Sequence, residues 1–141
     1  MLTRRLALLV LFAVARAALG RDELAEVARF SELVEQAQRQ HIDYPAVAAR
    51  AERGDTQALH ILFGFTRQMD GAAADSHCAA LHLLLKQLGD KGFSDALRKE
   101  PGDLRNRVMQ AIDYDIGRPW GKSFPLTYSL GSHDTKLLRG K

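Results

Sequence analysis

The densest group of side chains able to do chemistry lies at Asp75, His77, Cys78 and His82. Cys78 and His82 are four residues apart, so on a helix they share a face, where a thiolate and an imidazole could bind one metal ion or act as nucleophile and base. Cys78 also lies on a stripe of leucines, as a buried structural cysteine would. Because the sequence offers no supported third or fourth ligand, we predict that no metal or cofactor is bound. A metal or catalytic site at Cys78 and His82 is the alternative.

Known catalytic motifs are missing from the sequence. It has no glycine-rich phosphate loop followed by lysine, no paired metal-binding histidine motif and no nucleophile elbow. Ser129, Ser132, His133 and Asp134 include the residue types of a serine-hydrolase triad, but neighbours in a terminal segment cannot reach the mutual geometry of a triad. Glu52 and Glu100, at the ends of predicted helices, are candidates for acid catalysis only by exclusion. The sequence therefore favours a protein that is not an enzyme.

The C-terminal segment, residues 118–141, begins with a mixture of glycine, proline and large aromatic side chains in which we expect no regular helix. Disordered tails are poor in aromatic residues, so this segment should pack on a surface. The more frequent outcome is packing on its own domain; the alternative is binding to a partner, because Trp, Tyr and Arg anchor interfaces. The candidate partner-binding residues are Trp120, Phe124, Tyr128, Arg118 and Lys122.

The first 20 residues are typical of a secretory signal peptide. Arg4 and Arg5 precede an apolar run over residues 6–15, and small residues follow at the spacing of a signal peptidase site, so cleavage is expected after Ala17 or Gly20. The apolar run is much shorter than the about 20 residues that a membrane span needs. We therefore predict export to the periplasm or the medium without a stable membrane anchor.

Removal of the leader changes the charge balance. The chain has 20 basic and 17 acidic residues, and three of the basic ones lie in the leader, so the mature chain is neutral. Residues 21–115 contain 12 basic and 16 acidic residues, whereas residues 116–141 contain five basic residues and one acidic residue. A nucleic-acid-binding protein would need a basic face, so no nucleic acid is expected as a partner. An acidic protein could be steered to the basic C-terminal segment.

The pattern of apolar residues predicts an all-α domain over residues 21–117. Apolar side chains recur at intervals of three and four, and no stretch shows the alternation of a strand. A single cysteine allows no internal disulfide, so the core must be held by packing alone. We expect a compact orthogonal or HEAT-like hairpin bundle of about five to six helices. The predicted helices span residues 22–40, 45–53, 56–69, 72–88, a short stretch around 93–97, and 104–116.

Gly-Asp pairs punctuate this pattern at residues 54, 89 and 102, and the first two lie 35 residues apart. That interval is close to the period of helical hairpin repeats, and in its turn chemistry the chain resembles HEAT-type repeats. The next interval is too short for another repeat, and a stable solenoid needs about three. We therefore interpret the recurrence as shared capping, in which glycine ends one helix and aspartate caps the next.

These features together predict an exported helical module that binds another protein. The C-terminal segment and the adjacent helix surface are the expected contact region. Small exported helical proteins include inhibitors and immunity proteins that neutralise secreted toxins, which is an analogy of architecture.

Overall fold

A computed structural model describes residues 20–131 of the chain, and within them all regular structure is helical, which confirms the all-α prediction. Most of the predicted signal peptide, residues 1–19, lies outside this range. None of the described helices combines the length and the apolar character that a membrane span needs. The helices are α1 (residues 20–28), α2 (Ser31–Gln38), α3 (Tyr44–Ala51), α4 (Thr56–Phe65), α5 (Gly71–Leu97), α6 (Gly102–Ile116) and α7 (Pro125–Tyr128).

The prediction of a single helix over residues 22–40 is wrong, because the helix is interrupted at Phe30, between α1 and α2. The ψ of Phe30 is 129°, an extended value. The reason lies in the phase of the apolar residues. Leu24 and Ala28 are buried in α1, and burial resumes at Leu33 in α2. Residues five apart on one straight helix would point about 140° from each other. The break brings both apolar faces onto the same core.

The turn between α3 and α4 has the capping chemistry that its Gly-Asp pair predicts. Gly54 takes a φ of 83°, and Asp55 accepts hydrogen bonds from the backbone N–H groups of Gln57 and Ala58 at 3.0 and 3.1 Å. These bonds, with the Arg50 guanidinium at 3.0 Å, lower the pKa of the Asp55 carboxyl below its ordinary value. The local signal in the sequence was therefore sufficient to place this turn.

The other two Gly-Asp pairs do not repeat the capping by aspartate. Gly89, with a φ of 77°, is non-helical and divides α5 into two helical parts, as its Gly-Asp pair predicted, whereas the Asp90 carboxylate binds a segment 36 residues further along the chain. Asp103 lies in the first turn of α6 and accepts a hydrogen bond from Arg67 at 3.0 Å. The recurrence of the dipeptide does not reflect a structural repeat.

Helix α5 organises the core. It packs against α2, α4, α6 and α7, while α3 packs against α2 and α4. The largest fully buried side chains are aromatic residues and leucines contributed by several of these helices, among them Tyr44, Phe63, Phe65, Leu81 and Phe93. The edge-to-face contact of Phe63 with Phe93, at a centroid distance of 5.3 Å, joins α4 to the part of α5 beyond the kink.

A polar cluster lies inside this core, where His77 is fully buried between Tyr44 and Thr66. The Tyr44 hydroxyl lies 2.6 Å from Nδ1 of His77, and the Thr66 hydroxyl lies 2.9 Å from Nε2. Thr66 donates to the Leu62 carbonyl at 3.4 Å, so its oxygen is free to accept from Nε2–H while Nδ1 accepts from Tyr44. Every polar group of the cluster is satisfied when His77 is neutral.

Candidate functional site: a cleft between α5, α6 and the C-terminal segment

The side chains of the group around Cys78 have different partners. His77 belongs to the buried cluster, and burial lowers its pKa to about 3. Cys78 is 5% exposed, and burial, with the nearby carboxylates of Asp115 and Asp75, raises the pKa of its thiol to about 11. A thiol with this pKa is protonated near neutral pH, and the thiolate is the form that attacks or binds a metal. In residues 20–131, no group of three or more His, Cys, Asp and Glu residues is arranged to hold a metal ion.

His82 pairs with a residue that the sequence did not assign to it. Its Nδ1 lies 2.7 Å from Oδ2 of Asp115, near the end of α6, and the two side chains are 25% and 27% exposed. An ionised carboxylate can only accept, so Nδ1 carries the hydrogen and Nε2 remains for a second interaction. A carboxylate in this position orients the imidazole ring, as it does in acid–base sites.

Asp113, two residues earlier on α6, serves a different partner. Its Oδ1 accepts a hydrogen bond of 2.6 Å from the indole Nε1 of Trp120. Trp120 is 3% exposed and makes an edge-to-face contact with Tyr128 at a centroid distance of 4.9 Å. The described part of the C-terminal segment, residues 118–131, therefore packs on its own domain. Burial leaves only 3% of Trp120 exposed, so its ring contributes to the wall of a neighbouring cleft and little to the outer surface, and its role as a partner contact stays a prediction.

The rest of the segment contains a short helix where none was predicted. Helix α7 forms because Pro125 fits its first turn and because Asp90 of α5 binds its backbone. The Asp90 carboxylate accepts from the N–H groups of Leu126 and Thr127 at 2.8 and 2.7 Å. Burial alone would raise the pKa of Asp90, but these hydrogen bonds outweigh it and the pKa lies below its ordinary value.

These contacts leave an open cleft, the C-terminal cleft, with a volume of about 330 Å³ between α5, the end of α6 and the turn before α7. It brings together His82 and residues of the C-terminal segment, which the sequence had presented as two separate groups. Its polar lining consists of His82, Asp115, Arg118 and Ser123, and its apolar lining of Ile116, Pro119, Trp120 and Phe124.

The five predicted partner-binding residues are placed differently relative to this cleft. Arg118 lines it and is exposed, and Phe124 lines it and is half-buried. Lys122 is exposed and directly precedes Ser123 in the turn that forms one wall. Tyr128 is half-buried against Trp120. Two of the five, Arg118 and Lys122, are thus exposed, and two, Phe124 and Tyr128, are half-buried.

A second, smaller cleft of about 180 Å³ contains Glu100, one of the two candidates that the sequence offered by exclusion. The Glu100 side chain is 5% exposed, and its Oε1 lies 2.7 Å from Nδ1 of the exposed His60. The described residues thus include two histidine–carboxylate pairs of equal length in different clefts. The Glu100 carboxylate is the more deeply buried of the two.

Comparison of the chain with protein-family models, with curated proteins and with solved structures finds no match in any of the three.

Proposed function

We propose that the mature protein is an exported helical module that binds another protein through the C-terminal cleft. The observation that supports this best is the composition of the cleft, which is lined by both the exposed Arg118 and the half-buried ring of Phe124. Arginine and aromatic side chains contribute most of the binding energy in protein interfaces. A rigid wall holds them, because Trp120 is buried and bonded to Asp113 at 2.6 Å.

The surface next to the cleft extends the contact region. Leu126 in α7 is 45% exposed, and Lys122 lies in the preceding turn. An interface of this kind has an apolar centre and a charged rim. An inhibitor or immunity-type role fits such a surface by analogy of architecture.

A second candidate function is an enzyme that uses His82 as a base. The hydrogen bond of 2.7 Å between His82 and Asp115 favours it, since a carboxylate that orients an imidazole in an open cleft is a recurring part of acid–base sites. Cys78 is a poor nucleophile for this function, because its thiol pKa is raised to about 11. In this candidate enzyme, the acid–base pair is His82 and Asp115, and Cys78 has no catalytic role.

The binding proposal is tested by placing a photo-crosslinking amino acid at Ser123, which is exposed and lines the C-terminal cleft. The matched control carries the same group at Gln57, which is exposed and lines the smaller cleft. We expect one defined adduct with a protein of the periplasmic extract from Ser123 and none from Gln57. Equal adducts from both positions, or none from either, would overturn the proposal.

Export and catalysis need separate measurements. N-terminal sequencing of the protein recovered from the periplasm should begin at residue 18 or 21. For the enzyme candidate, a hydrolytic activity found by substrate screening should be lost in His82→Ala and kept in Cys78→Ala. Activity that survives His82→Ala excludes this candidate.

A further inference from the structure

We infer that the C-terminal cleft contains a hydrolytic triad in which Ser123 is the nucleophile, His82 is the base and Asp115 orients the base. Its substrate is a small, uncharged carboxylic ester with an apolar acyl group. The inference rests on the second candidate function, the enzyme that uses His82 as a base, and adds the nucleophile and the substrate class.

The first observation is that the base and its carboxylate are arranged as a triad requires. Asp115 accepts the hydrogen of Nδ1 of His82 at 2.7 Å, which leaves the lone pair of Nε2 able to take a proton. Within residues 20–131, Nε2 has no hydrogen-bond partner of its own. Because the two residues lie on α5 and α6, the packing of these helices holds the imidazole ring in place.

The second observation is that a serine lines the same cleft. Ser123 is exposed and is the one hydroxyl or thiol side chain of the lining. Its hydroxyl forms no hydrogen bond within the described part of the chain. It is therefore not bonded to His82 in this structure, and contacts between nucleophile and base are often longer in an enzyme without substrate.

The third observation is that Ser123 lies in a turn attached to α6, the helix that contains Asp115. The Trp120 carbonyl accepts hydrogen bonds from the backbone N–H groups of Ser123 and Phe124 at 3.0 and 3.2 Å. The buried indole of Trp120 donates to Asp113 of α6 at 2.6 Å. A catalytic group must be held on a rigid scaffold, and these bonds provide one for the nucleophile.

The rest of the lining indicates the substrate. Ile116, Pro119 and Phe124 form an apolar surface for an acyl group, and the volume of about 330 Å³ is in the range of small-molecule sites. Arg118 is the one cation of the lining, and its N–H groups can donate to the oxyanion that forms during attack. A short aliphatic ester fits these groups.

The reaction has two steps, and water is its co-reactant. Oγ of Ser123 bonds to the carbonyl carbon while its proton passes to Nε2 of His82, and the C–O bond to the alcohol breaks as the alcohol leaves with that proton. Water then attacks the acyl group on Ser123. His82 takes a proton from this water and returns it to Oγ, which releases the carboxylic acid.

The test uses the purified protein, with p-nitrophenyl butyrate as the substrate and diisopropyl fluorophosphate as a covalent probe of the nucleophile. We expect ester hydrolysis and one diisopropylphosphoryl group, located at Ser123 by mass spectrometry. Ser123→Ala should abolish both, and His82→Ala should lower kcat by about 100-fold or more. Asp115→Asn should lower kcat and leave KM unchanged, because it alters the orientation of the imidazole and not the binding of the ester.

The matched control is Ser129→Ala. It removes another exposed serine of the C-terminal segment, whose hydroxyl donates to the Leu126 carbonyl at 2.7 Å and does not line the cleft. We expect this variant to keep the kcat, the KM and the adduct of the wild type. Equal loss of activity in Ser129→Ala and Ser123→Ala would overturn the assignment of the nucleophile.

Other results overturn the triad in distinguishable ways. Hydrolysis that is lost in His82→Ala but kept in Ser123→Ala would mean that His82 activates water directly, so the second candidate function stands and the nucleophile is wrong. An adduct that forms equally fast in His82→Ala would show that the two residues do not act together. Absence of the adduct overturns the triad whatever the substrate, while the crosslink from Ser123 still decides the protein-binding proposal.

Discussion

Nδ1 of His82 in α5 lies 2.7 Å from Oδ2 of Asp115 in α6, and this contact joins residues 33 positions apart at the wall of the C-terminal cleft. The pair of His60 and Glu100 has the same distance of 2.7 Å but a carboxylate that is only 5% exposed. The two pairs therefore differ in burial and not in length, which makes one a control for the other.

Replacing the two carboxylates by amides should separate these pairs. We expect Asp115→Asn to lower the free energy of unfolding by less than about 1 kcal/mol, because water screens a partly exposed pair. Glu100→Gln should lower it by about 1–3 kcal/mol, because a buried amide hydrogen would lack an acceptor. Urea denaturation of both variants checks this. Equal losses would mean that burial does not decide the strength of these pairs.

Removing the acceptor of the Trp120 indole should loosen the C-terminal segment. Asp113→Ala leaves Nε1 of a residue that is 3% exposed without its bond of 2.6 Å, so we expect a loss of about 1–3 kcal/mol. Asp113→Asn keeps an acceptor oxygen and should lose less. Trp120 is the single tryptophan, so its fluorescence reports the change directly. An Asp113→Ala protein with the stability and emission of the wild type would contradict this assignment.

Removing the Asp90 carboxylate, which binds the backbone of α7, should expose that backbone to solvent. In Asp90→Ala, the amides of Leu126 and Thr127 lose their acceptor, and we expect their hydrogen exchange to rise by about tenfold. The pKa of Asp90 is lowered, so this anchoring is present near neutral pH and is lost as the pH falls below the ordinary value of 3.8. Asp95→Ala, which removes an exposed pair with Lys91 on the same helix, is the control and should leave both amides protected.

Acid should destabilise the protein through His77. Its pKa is about 3 in the folded protein against an ordinary value of 6.5, so the unfolded chain binds the extra proton first. The contribution of His77 to the free energy of unfolding is therefore present above pH 6.5 and is lost as the pH is lowered. For this group alone, the loss between pH 6.5 and 5 is about 1.5 kcal/mol. Denaturation curves of the wild type and His77→Gln at several pH values measure it. The variant should be less stable at pH 7 and should lack this part of the slope; parallel curves would refute the assignment.

The thiol of Cys78 should be unreactive in the folded protein. With a pKa of about 11 and 5% exposure, it should react with iodoacetamide at pH 8 far more slowly than a free cysteine. Mass spectrometry follows the reaction at the single cysteine, and denaturant should restore the normal rate. Rapid alkylation without denaturant would reopen the case for a catalytic thiol.

Much of the fold followed from short-range patterns. The spacing of apolar residues identified the all-α class, and Gly54 with Asp55 placed the turn between α3 and α4, because capping involves atoms only two or three residues apart. The break at Phe30 was also encoded, as a change of phase between Ala28 and Leu33, although the pattern was interpreted as one helix. The spacing of apolar residues over 72–88, which predicts a helix, and the glycine that ends it, Gly89, are also short-range features of the sequence.

The sites depended on the tertiary structure. His82 meets Asp115 across 33 residues, His60 meets Glu100 across 40, and Asp90 meets Thr127 across 37. Nothing in the spacing of such residues specifies their pairing, because it is set by how whole helices pack and not by the repeat of one helix. The sequence by itself determined the helices, their apolar faces and the chemical groups available. Only the packing of α5, α6 and the C-terminal segment decided that Trp120 is buried, that Cys78 is protonated and that Arg118 faces an open cleft.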